Sequence, residues 1–157
     1  MNAALDRLAR QVELEAPCQE RLRLAFGYAC ALRVQHLLEE PAVVECLSGL
    51  GRYLSGSLSH ALLERLAAEA ARLASHHQGS KSLDGCGHAA VSATYAVANA
   101  LAGKALPAAE YAAYATVYGQ GGYGAVADRE SLEPEYAWQL QCLASLAANG
   151  VTKEGES

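Results

Sequence analysis

From His60 the chain reads HALLERLAAEAARLAS, with Leu63, Leu66, Ala70, Leu73 and Ala74 recurring three or four residues apart and Glu64, Arg65, Glu69 and Arg72 between them. That period lines the apolar set along one face of an α-helix and the charges along the opposite face, whereas a half-buried strand would need strict alternation. The same period returns in nearly every segment, and it is written largely in Ala, which fills roughly one position in five, well above ordinary usage. Ala supplies helix propensity and little volume, so helices rich in it can approach one another closely. β-branched residues are few and scattered. The chain therefore reads as all-α, a compact bundle of six to seven helices.

At 157 residues the length suits one domain with enough apolar surface to form a core unaided. The domain is expected over residues 1–150, followed by a polar flexible tail at 151–157. A short first helix, AALDRLARQVEL, ends before Pro17. A second is expected to continue to Glu40, with Leu22, Phe26, Ala29, Cys30, Val34 and Leu37 on one face, and to stop because the residue before Pro41 avoids the α region. Pro41 opens a third helix that Gly56 closes, and Ser57 or Ser59 caps the fourth. Asp84 is the expected cap of a fifth helix reaching Leu101, with Gly103 ending it. Pro107 opens a sixth, and the Gly-rich QGGYGAVADRE is its frayed end or a loop. The last runs from about Pro134 to Ala148, packs Trp138, Leu140, Leu143 and Leu146, and stops at Asn149-Gly150.

The net charge of −5 argues against a nucleic-acid-binding surface, which needs clustered Lys and Arg. No apolar run is long enough to span a membrane. Five cysteines are scattered without a CxxC pair. Cys30, Cys46 and Cys142 lie within helical patterns, where a thiol behaves as a small core hydrophobe. With no signal peptide at the N-terminus, a reducing cytoplasm is the expected location.

The segment HHQGSKSLDGCGH, residues 76–88, gathers metal-capable side chains. His76 and His77 are adjacent and point about a hundred degrees apart on a helix, so they poorly share one ion. His76, His77, Cys86 and His88 are thus an alternative metal or thiol-enzyme centre, set against a polar helix connection with His at the last turn of a helix. Cys86 is the thiol to suspect first, because a helix N-terminus lowers thiol pKa values. The glycines of GQGGYG lack the Lys-Ser/Thr of a phosphate loop. The reading is of no cofactor, no metal and no enzyme.

Two further patterns stand out. Arg33 and His36 sit on an otherwise apolar second helix, and His88, Ser92, Tyr95 and Asn99 climb the fifth at spacings of four, three and four. These six form either a buried hydrogen-bonded network or a solvent-facing stripe. Tyr111, Tyr114 and Tyr118 stand three and four apart on the sixth helix, near an acidic run holding Asp128, Glu130, Glu133 and Glu135. The acidic run suits a solvated helix start. Together the tyrosines with Asp128, Glu130 and Glu133 are the expected partner-binding face, since Tyr joins apolar area to a polar tip.

The stretch from Tyr28 to Ala74, with Cys30, Arg33, Val34, His36, Leu37, Tyr53, Gly56 and Ser57, together with GHAAVSATYAVANAL, resembles the Imm-5-like family of bacterial immunity proteins over roughly residues 20–145. The Gly-rich break at 119–124 departs from that pattern. The resemblance implies a toxin-neutralising binder and carries over no catalytic residue. The expected partner is accordingly another protein, a toxin on this resemblance, bound by occlusion. A small helical enzyme and a plain homodimer are the alternatives.

Overall fold

Seven α-helices carry the residues described by the computed structural model, 2–76, 86–127 and 129–150, with side chains described for all of these except 86–87, 121–127 and 129. They are α1 (Ala3–Gln11), α2 (Glu20–Leu32), α3 (Pro41–Leu54), α4 (His60–His76), α5 (Cys86–Leu101), α6 (Ala105–Ala127) and α7 (Arg129–Ala148). Short 3-10 turns occupy Pro17–Gln19 and Gln35–Leu37, and no strand occurs among the described residues. The all-α expectation is met. The tail at 151–157 and the residues His77, Asp84 and Asp128 lie outside the described residues.

Alanine decides how the helices meet. The helix α5 buries Ala89, Ala90, Ala93, Ala96, Val97 and Ala100, and α6 buries Ala105, Ala108, Ala109, Ala112, Ala113 and Ala115. With so little side chain between them, α5 and α6 form the most extensive helix contact of the fold. At Gly27 the closeness is extreme: a Cβ there would lie 3.1 Å from the Cα of Ala100. Glycine lets α2 cross α5 backbone against backbone, where a larger residue would press on Ala100.

Around these central helices the core divides into two main clusters. Leu22, Phe26, Val34 and Leu143 bring together α1, α2, α5, α6 and α7. Leu47, Leu50, Leu63 and Val97 bring together α2, α3, α4 and α5. The connections are tight. Gly56 at the end of α3 and Gly103 at the end of α5 have φ of +88° and +76°, a conformation that costs other residues free energy. Ser59, one of the two caps expected for α4, accepts a hydrogen bond from the Leu62 amide at 3.2 Å.

Three expected boundaries are corrected. The second helix does not continue to Glu40. After Leu32 the ladder tightens into i→i+3 bonds, Arg33 to Cys30 and Val34 to Ala31, and the backbone turns. Val34 stays fully buried through that turn. The sixth helix starts two residues before Pro107 and continues through the Gly-rich segment to Ala127. The seventh starts at Arg129 and holds Pro134 inside it. Glycine and proline both disfavour a helix interior. At Pro134 that preference is overridden by a third, small core in which Ala113 and Val117 of α6 pack on Leu132 and Tyr136 of α7, with Tyr114 against it.

Candidate functional site

Two constellations of polar and aromatic side chains emerge from this packing. The first forms where the chain leaves α2. Arg33 donates from Nε and Nη2 to the two carboxylate oxygens of Glu135 on α7, at 2.6 and 2.7 Å. Its guanidinium carbon lies 4.1 Å from the centre of the Trp138 ring. Glu135 is nearly sealed from solvent, at 6 % side-chain exposure against 40 % for Arg33. Hydrogen bonding to that carboxylate raises the Arg33 pKa further above its ordinary value. The fork geometry matches a planar guanidinium to a planar carboxylate, and the indole face adds a cation–π contact.

Glu135 is the residue that sequence reasoning misplaced. As part of the acidic run it was expected in solvent, at the start of a helix. In the structure α7 starts earlier, so Leu132, Glu135, Tyr136, Gln139 and Leu143 fall on its buried side. The signal was present in the sequence as a three- and four-residue spacing that begins before Pro134. Gln139, also buried, donates to the Ala109 carbonyl at 2.8 Å and ties α7 to α6.

The expected polar network of Arg33, His36, His88, Ser92, Tyr95 and Asn99 is not one network. Arg33 pairs with Glu135, as above, and His36 is exposed on the 3-10 turn beside it. Asn99 bonds locally to the Tyr95 carbonyl at 2.8 Å. His88 and Tyr95 instead meet the tyrosines of α6. The His88 ring stacks on Tyr118 at 5.4 Å and 27°, and the Tyr95 ring stacks on Tyr111 at 5.2 Å and 23°.

This second constellation has a simple origin. His88 and Tyr95 are seven residues apart, as are Tyr111 and Tyr118, and α5 and α6 run antiparallel across the turn at Gly103. Two turns of helix separate the rungs by about 10 Å. His88 is exposed, Tyr111 is 37 % exposed, and Tyr95, Tyr118 and Ser92 are half-buried. Tyr114 plays a different part from its neighbours. It packs in the small α6–α7 core, where burial first and a hydrogen bond to Glu110 second raise its pKa. Glu110 also accepts a 3.0 Å hydrogen bond from the Tyr136 hydroxyl. Glu130 and Glu133 are exposed on the first turns of α7.

A third feature is a cleft of about 410 Å³ lined by Glu20, Arg23, Leu24, His60, Leu63 and Glu64, among others. His60 lies 3.5 Å from both Glu20 and Glu64. Arg23 is spent on the backbone carbonyls of Leu14 and Ala16, each at 2.7 Å.

The remaining expected chemistry divides simply. His76 ends α4 and is exposed, whereas His77 and the side chain of Cys86 lie outside the described residues. Among the described residues no group of three or more His, Cys, Asp and Glu is placed to hold a metal ion. Cys30 and Cys46 are buried and Cys142 half-buried. Burial is the largest cause raising all three thiol pKa values, which keeps them protonated and poor nucleophiles. Among the described residues no helix is long and apolar enough to cross a membrane. In comparisons with protein-family models, with curated proteins and with solved structures, the chain has no match.

Proposed function

We propose that this chain is a protein-binding helical domain that works by docking rather than by chemistry, and that its docking face is the α5–α6 edge. The observation that carries the reading is the pair of stacked rungs, His88 on Tyr118 and Tyr95 on Tyr111, partly open to solvent. Aromatic side chains held rigid before binding lose little entropy on association and contribute most when a partner seals them from water. The rungs stand on the helix pair with the most extensive contact in the fold, so the face is preformed.

The partner is a basic protein. Net charge is −5, and Glu130 and Glu133 present exposed carboxylates from α7. Such charges chiefly speed encounter and set salt dependence. On the resemblance to Imm-5-like immunity proteins, the partner is a toxin and docking covers its active site.

The test is binding to the proteins encoded beside this chain's own gene, measured by surface plasmon resonance. A complex should form whose affinity falls about 30-fold when Tyr118 becomes Ala and whose association slows as salt rises. Binding by none of the neighbours, or affinity unchanged in Tyr111→Ala and Tyr118→Ala, rejects the face.

A further inference from the structure

The Arg33–Glu135 pair lies at the wall of a cleft of about 370 Å³, which His36, Leu37, Thr116, Gly119 and Gln120 also line. A guanidinium carries five N–H donors arranged as two forks. Glu135 takes the Nε–Nη2 fork, and Trp138 covers one face of the group. The remaining fork, one Nη1 proton and the second Nη2 proton, has no partner among the described residues, and neither has the other Nη1 proton. An arginine clamped by a buried carboxylate and an indole ring is fixed in orientation before anything binds, which cuts the entropy lost on binding.

From this geometry we infer that the cleft binds a monocarboxylate through the free Nη1–Nη2 fork of Arg33, with His36 and Gln120 at its edge and a short aliphatic body against Leu37 and Gly119. One negative charge suits the site and two do not, because Glu135 already occupies the other side of the same guanidinium. The aliphatic body follows from the lining. The hydroxyl of Thr116 is spent on the Ala112 carbonyl at 3.0 Å. A Cβ at Gly119 would come within 3.3 Å of the Leu37 side chain, so glycine keeps that wall shallow. This site is separate from the α5–α6 docking face and does not depend on it.

The experiment is a titration of the full chain with sodium butyrate, following the side-chain ¹⁵N resonances of Arg33, with sodium chloride at matched ionic strength as reference. Saturable shifts with an affinity of order 10 mM or tighter are expected from butyrate and not from chloride. His36→Ala, which leaves the clamp untouched, should weaken binding at least about threefold. Arg33→Lys, checked for unchanged helicity by circular dichroism, should abolish it, since an ammonium has no second fork. Shifts that grow linearly and match those from chloride overturn the inference, and so does binding that survives both substitutions. A parallel titration with acetyl-glutamate N-methylamide distinguishes sources. Tighter binding than butyrate assigns the cleft to an acidic side chain of a partner, and weaker binding to a free carboxylic acid.

Discussion

Two arginine–glutamate forks in this molecule share nearly the same geometry and differ in almost everything else. Arg72 and Glu69 on α4 meet through Nη2 and Nε at 2.6 and 3.0 Å, with side chains 58 % and 42 % exposed. Arg33 and Glu135 meet at 2.6 and 2.7 Å, with Glu135 only 6 % exposed. The first pair joins neighbours on one helix turn, three residues apart, while the second joins chain segments 102 residues apart. Short bonds alone therefore do not measure worth. Water competes freely for the α4 pair and hardly at all for the Glu135 carboxylate.

The largest consequence is expected from breaking the inner fork on one side. Arg33→Ala leaves the buried Glu135 carboxylate without its counter-ion, which should destabilise the fold by about 3 kcal/mol. The value sits at the low end for buried pairs because Arg33 is itself partly exposed. Thermal unfolding should fall by about 6–12 °C for a chain of this size. Trp138 is the chain's one tryptophan, so its fluorescence reads the site directly. Emission should change in Arg33→Ala and stay constant in Arg72→Ala. A shift below about 1 kcal/mol would mean that Glu135 reaches water once Arg33 is gone.

The contrast between the forks also marks how far sequence reasoning reaches. Helix periodicity is a local property, and α3, α4 and α5 follow it closely, with Leu47, Leu50, Leu63, Ala70 and Ala74 buried as their spacing requires. Arg72–Glu69 is legible for the same reason. Arg33–Glu135 is not, because it depends on where α2 ends and α7 begins. Neither boundary carries an ordinary signal. No glycine or proline marks the end of α2 at Leu32, while Pro134 marks a start that α7 ignores. Tertiary packing of Val117, Leu132 and Tyr136 overrules propensity there. The stacked rungs are an intermediate case. Their seven-residue spacing is visible in each helix, but pairing His88 with Tyr118 needs the antiparallel register that Gly103 sets.

Removing both charges of the inner fork should cost far less than removing one. In Arg33→Met with Glu135→Leu, neither a buried charge nor an unpaired donor remains, and the apolar side chains can pack on Trp138. Stability should return to within about 1 kcal/mol of the parent chain, or exceed it. Urea unfolding of the two single variants and the double variant measures the coupling. The double variant should also fail to bind butyrate, separating what the pair does for the cleft from what it does for the fold. A double variant as unstable as Arg33→Ala would show that the shape of the fork, not its charge balance, holds α2 to α7.

The smallest effect belongs to the outer fork. The hydrogen bond from Arg72 holds the Glu69 carboxyl below its usual range. A carboxylate whose folded pKa is depressed adds stability above its unfolded pKa and loses it as pH falls through the folded value. Glu69 thus favours the fold at neutral pH and ceases to do so in acid. Because both side chains lie in solvent, that contribution is screened, and Arg72→Ala should leave the urea midpoint at pH 7 unchanged within error. A double-mutant cycle on Arg72 and Glu69 should likewise give no coupling at about 0.5 M salt. The same cycle on Arg33 and Glu135 should retain most of its coupling, because the Glu135 carboxylate is nearly sealed from solvent. Equal salt sensitivity in the two cycles would remove burial as the cause of their difference and leave bond geometry to account for both.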